Sequence, residues 1–156
     1  MNYDSGALAI FAVLGAFIFV FVIIALIVYI LLSLGLYKLA KNAGIENPWL
    51  AWIPIANLYI LGKLVKNVSL GSLEVPSLEI VLPVASLATM VLGSVPFIGW
   101  IINLAYLILL VLVLYNLFKI YRPEQATLWT VLSIIFSFIG LPAIFIFIMR
   151  NDSPRA

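Results

Sequence analysis

Residues 5–37 carry no charged side chain, and this run constrains the fold more than any other feature of the chain. About 20 apolar residues suffice to carry a helix across the ~30 Å hydrocarbon core of a bilayer. As a single helix this run would measure about 50 Å at ~1.5 Å per residue. Two further charge-free runs follow at residues 80–118 and 125–149. The pattern predicts an all-α, polytopic integral membrane protein in one membrane domain. Its composition agrees: 66% of residues are hydrophobic and only 9% charged, against roughly a quarter charged in soluble domains.

The chain has no His and no Cys. This removes imidazole and thiolate metal sites, Cys or Ser–His nucleophiles, and disulfides. Glu74, Glu79 and Glu124 form no recognisable acid–base or metal arrangement. The expectation is a protein that is not an enzyme, with no cofactor, no metal and no nucleic-acid partner. The first apolar run exceeds the 7–15 residues of a signal-peptide core and lacks a basic segment before it, so it is expected to be retained.

Four spans are expected, at about residues 8–36, 77–94, 100–118 and 128–149. The first is longer than a bilayer needs and must tilt, bend or project; Gly15 and the Ser33–Gly35 step are the natural bending points. Lys38 and Lys41 then close a basic helix end, with Gly44 placed for a C-cap. Residues 47–62 form an elbow. Asn47-Pro48 reads as a helix start, Pro54 breaks that helix, and Trp49, Trp52 and Tyr59 favour a headgroup interface. Its 16 or so residues would reach about 24 Å as a helix, which is short for a crossing. An interfacial or re-entrant elbow is preferred over a short span. Residues 65–77 read as a polar loop, and Ser77 as an N-cap with Glu79 in the following turn. The cluster around Gly93, Pro96 and Gly99 divides the second run, and Gly140-Leu141-Pro142 should kink the last.

Cytoplasmic flanks carry excess Lys and Arg. If the elbow does not cross, Lys38, Lys41, Lys63, Lys66, Lys119 and Arg122 share one side, leaving Arg150 and Arg155 on the other. If it crosses, the eight divide equally. The rule therefore favours the N-terminus outside and the elbow cytoplasmic. One variant turns residues 128–149 back as a hairpin at Gly140–Pro142, which gathers all eight positive charges on the inner side. A weak internal echo, residues 36–41 against 117–122 with Trp49 and Trp129 following, fits either duplication or convergent interface anchoring.

The segment from Asn47 to Tyr59, the elbow Tyr121-Arg122-Pro123-Glu124-Gln125-Ala126 and the closing Phe147-Ile148-Met149-Arg150-Asn151 carry a resemblance. They look like uncharacterised small multi-pass membrane proteins of Gram-positive bacteria. The resemblance implies the bacterial plasma membrane and no particular activity.

Two groups of residues are functional candidates. Lys38, Lys41, Lys63 and Lys66, with Trp49 and Trp52 between them, would contact anionic lipid headgroups on the cytoplasmic side or a partner protein. Plain topology anchoring accounts for them equally simply. Ser86, Thr89, Asn103 and Tyr106 fall at matched distances from Pro96 and pair as Thr89–Asn103 and Ser86–Tyr106. They serve as interhelical hydrogen-bonding glue or, with Asn57 facing them, line a polar path. Glu79 reads as a solvated helix-start carboxylate, or as a partner of Lys66 or Lys119. The leading expectation is an accessory or scaffold protein whose aromatic–basic elbow holds lipid or a partner. The alternative is a small oligomeric channel or transporter, built from several copies of the chain.

Overall fold

A computed structural model describes residues 5–70 and 73–155. The extreme N-terminus and Gly71-Ser72 of the polar loop lie outside the described residues. The helices are α1 (Ser5–Asn42), α2 (Ala56–Val65), α3 (Leu78–Leu92), α4 (Ile98–Tyr121), α5 (Ala126–Ile135) and α6 (Leu141–Ile148). Short 3-10 turns at Pro48–Trp52, Pro123–Gln125, Ser137–Ile139 and Met149–Asn151 complete the helical content. Two helices, Gly6–Asn42 and Ile98–Tyr121, are long and apolar enough to cross a membrane.

The first helix runs as one continuous α-helix through Gly15 and through Ser33-Leu34-Gly35. Gly35 is used for packing. A Cβ there would lie 2.8 Å from Ile146 Cγ2 and 3.0 Å from its main chain, so the absent side chain lets α6 lie close. At its far end α1 closes as the sequence implies. Gly44 takes φ +68°, its N–H donates to the Lys41 carbonyl and the Ile45 N–H donates to Ala40. That paired 5→2 and 6→1 arrangement satisfies the last helical carbonyls.

Residues 45–65 then leave this end and return to it. The 3-10 helix Pro48–Trp52 climbs beside α1 until the Tyr29 hydroxyl donates to the Trp52 carbonyl. The chain turns at Pro54-Ile55, and α2 descends until Lys66 shares a cavity with Ala43, Ile45, Tyr121 and Pro154. Gly62 lets α2 cross the start of α3 at contact distance, since a Cβ there would lie 2.3 Å from the Glu79 nitrogen.

Within the expected polar loop, β1 (Val68–Leu70) pairs antiparallel with β2 (Leu73–Val75), with Ser69 opposite Glu74. The Leu78 N–H donates to the Lys66 carbonyl and closes the loop. Ser77 does precede α3, but its hydroxyl makes no capping bond; its carbonyl accepts from Ile80 and Val81 instead. The helices α3 and α4 form an antiparallel hairpin whose turn exposes Phe97 (87%) and, one turn into α4, Trp100 (84%).

The segment expected as a fourth span, residues 128–149, is not one helix. It is a second hairpin: α5 leaves the end where α4 stops, the chain turns through Ser137–Gly140, and α6 comes back. Three contacts with α1 fix the direction of α6. A Cβ on Gly140 would lie 2.5 Å from Val28 Cγ1, Gly35 abuts Ile146, and the Asn42 amide donates to the Arg150 carbonyl. The α6 helix therefore runs parallel to α1. Gly140 at φ +79° makes the reversal, a backbone conformation that glycine adopts without strain. Trp129 stacks on Phe145 at 4.5 Å, and Phe118 of α4 meets both rings edge-on at 5.6 and 6.0 Å. Such aromatic pairs add about 0.5–1.5 kcal/mol each beyond the area they bury.

The core lies at the end where all these segments meet. Leu36, Leu39, Ile60, Leu82, Leu117 and Phe118 are fully buried there. By contrast, the α1 side chains from Leu8 to Ile27 are exposed along its whole outer length.

Candidate functional site

Both hairpins return to the end where α1 and α4 stop, so the basic residues converge there. Lys38 and Lys41 sit in the last turns of α1 and Lys119 in that of α4. Lys63 and Lys66 line a cavity with Tyr121 and Pro154. Arg122 pairs with Asp152, the one ion pair among the described residues, and the Arg155 N–H donates to the Ile120 carbonyl. Arg150 is next to Asn42 through its carbonyl. All eight Lys and Arg thus share one end of the molecule.

Three of these cations rest on aromatic faces. Lys63 Nζ stands 5.1 Å from the Tyr59 ring centre, the Arg122 guanidinium 5.1 Å from that of Trp129, and the Arg150 guanidinium 3.9 Å from that of Phe147. The rings cover one face of each charged group while leaving its solvent side available. Lys38, Lys41, Lys66, Lys119 and Arg155 are exposed.

The structure divides the first candidate group. Lys63 and Lys66 come together on a groove with Asn67, Ser77 and Glu79, and Glu79 lies on it without an ion pair to either lysine. Trp49 and Trp52 are exposed, and the main chain at Trp52 has climbed with the 3-10 helix to Tyr29, away from the basic end. Trp49 Nε1 donates to Asn47 Oδ1 at 3.4 Å. Asn47 itself has φ 58° and makes no side-chain capping bond.

In the second candidate group, no hydrogen bond among the described residues joins Thr89 to Asn103 or Ser86 to Tyr106. Thr89 donates to the Ser86 carbonyl within its own helix. Asn103 donates to the Gly93 and Gly99 carbonyls at 3.2 and 2.8 Å, pinning the turn between α3 and α4 rather than reaching Thr89. Of the five, Tyr106 lines the groove of about 210 Å³ between α3 and α4, with Ala85, Ala88, Ile102, Ala105 and Leu109. Asn57 is half-buried at the start of α2, in the other hairpin. Of the residues that hold the basic end together, Arg122 and Trp129 read in the sequence only as a flanking cation and an interface anchor, and Phe145 and Asp152 escaped sequence reasoning. Their one sequence signal was the charge count that turning back the last segment would unify. Among the described residues no group of three acidic, His or Cys side chains is placed to hold a metal.

Comparison with protein families, curated proteins and solved structures brings no match.

Proposed function

We propose that this chain is a polytopic plasma-membrane protein that crosses through α1, through α4, and through the shorter α3 together with the turn residues 93–97 that extend it. Its two hairpins, residues 45–65 and 126–148, enter from the cytoplasmic side and leave by it. It works without catalysis, as a scaffold whose basic end holds anionic lipid headgroups. The observation that carries this reading is the gathering of all eight Lys and Arg at one end of an otherwise apolar helical body. Basic residues near the anionic cytoplasmic leaflet gain about 1 kcal/mol each, and the positive-inside rule orients the same end inward. The resemblance to small Gram-positive membrane proteins supports the bacterial plasma membrane. The expected polar path draws no support from Asn57, Thr89 and Asn103, which bond locally or sit in separate hairpins.

The orientation is tested by cysteines introduced singly at the exposed positions Ser69, Ser94 and Ser153, an uncomplicated route in a chain without Cys. S69C and S153C should react with an impermeant thiol reagent from one face and S94C from the other. Reaction of S69C and S153C from opposite faces overturns the reading. For the lipid site, the double substitution K63A/K66A should weaken binding to anionic nanodiscs about 30-fold, which is ~2 kcal/mol. Unchanged affinity overturns that assignment.

A further inference from the structure

The two hairpins turn back within about two helical turns of each other along α1. One tip is held by Tyr29 and the other abuts Val28, adjacent residues of α1. Val28 lies ten residues above Lys38, about 15 Å along a helix, which is half of a ~30 Å hydrocarbon core. On the basic side of this level the molecule contains α1, the 3-10 helix Pro48–Trp52, α2, α3, α4, α5 and α6. Beyond the turn Ser137–Ile139, which shares a groove with Ile24 and Ala25, only α1, α3 and α4 continue. Burial follows the same division, with Leu36, Leu64, Leu117 and Met149 in the core and Phe19, Met90, Val91 and Ile101 exposed.

We infer that the protein is a wedge, broad in the cytoplasmic leaflet and narrow in the outer one, and that it favours membranes whose cytoplasmic face is convex. This rests on the orientation proposed above. Four additional helical segments, each ~10 Å across, add on the order of 300 Å² to the cross-section on one side of the midplane. A flat bilayer must strain its lipids around such a shape, whereas a leaflet already expanded by curvature accommodates it, as with one-sided insertion of amphipathic helices. The tips are suited to stopping at mid-depth. Lipid offers backbone groups no hydrogen-bond partners, so a turn at that depth must satisfy them within the protein. Here Tyr29 satisfies the Trp52 carbonyl, the Asn57 and Leu58 N–H groups donate to the Ile53 and Ile55 carbonyls, and those of Ile139 and Gly140 donate to Phe136 and Ser137, while Ile53 and Phe138 stay exposed.

The test uses the S153C chain reconstituted into small sonicated and large extruded vesicles of the same zwitterionic phospholipid, so that surface charge is equal in both. Labelling with an impermeant reagent reads the fraction of chains whose basic end faces outward, on the convex side. The ratio of outward to inward chains is expected to rise about threefold from large to small vesicles. Equal ratios at both sizes overturn the wedge. S69C and S94C are labelled in the same vesicles to separate the two failures. S69C following S153C, with S94C opposed, leaves the orientation intact when the ratio does not move. S69C opposed to S153C removes the orientation and the wedge together.

Discussion

Tyr29 and Trp52, twenty-three positions apart, are joined by a hydrogen bond from the phenol to the main-chain carbonyl. The bond ties the tip of the first hairpin to the middle of α1, one residue from where the second hairpin arrives at Val28. Tyr29→Phe removes the donor and leaves the ring. It should lower stability by about 1 kcal/mol, the usual net value of such a bond, read as an earlier thermal transition in detergent. An unchanged transition would mean that the bond is not formed in the folded protein.

Gly140 combines a left-handed backbone with close contact to Val28. Gly140→Ala should therefore cost about 1–3 kcal/mol through strain and overpacking. Adding Val28→Ala creates room and should return part of that loss, while the backbone share persists. Full recovery in the double variant would show that the left-handed conformation carries no cost there.

Gly62 meets the main chain of Leu78 and Glu79 rather than a movable side chain. Gly62→Ala must therefore push α2 away from α3, at about 1–3 kcal/mol. Cysteine pairs bridging the two helices should crosslink less efficiently in this variant; crosslinking equal to that of the parent chain would contradict the packing.

Arg122 and Asp152 are partly exposed, and their ion pair is worth about 1 kcal/mol at most. Asp152→Ala should leave the global transition nearly unmoved while releasing the last residues from α4. Limited proteolysis after residue 150 is the sensitive measurement, and cleavage at the parental rate would count against the latch.

Several features were legible because they are local. Gly44 after Lys41 marked the end of α1, and Asn47-Pro48 followed by Pro54 marked a segment broken into two short helices. The last segment was misread because Gly140-Leu141-Pro142 looks alike whether it kinks a helix or reverses it. The choice is made by Val28, Asn42 and Phe118, which lie far off in the chain and touch it only after folding. The ribbon of Val68–Leu70 and Leu73–Val75 was hidden for a related reason. Three-residue strands carry too little alternation to stand out from a polar loop. Among the candidate site residues, Lys63 and Lys66 stay together because they lie one turn apart at the end of α2. Trp52 parts from them because the 3-10 helix rises ~2 Å per residue and carries its main chain to Tyr29.

The exposed rings of Phe97 and Trp100 at the α3–α4 turn also bear on fit to the lipid. From Trp100 to Lys119 α4 measures about 28 Å, close to an ordinary hydrocarbon thickness. The uncharged stretch of α1 is nearly twice as long. In the proposed membrane setting both cannot stand upright in one bilayer, so α4 would set the depth and α1 would lean or emerge. Under that proposal, thicker membranes would relieve α1 while stretching past Trp100 and Lys119 of α4, a conflict worth fractions of a kcal/mol per Å that would give this chain a preferred membrane thickness.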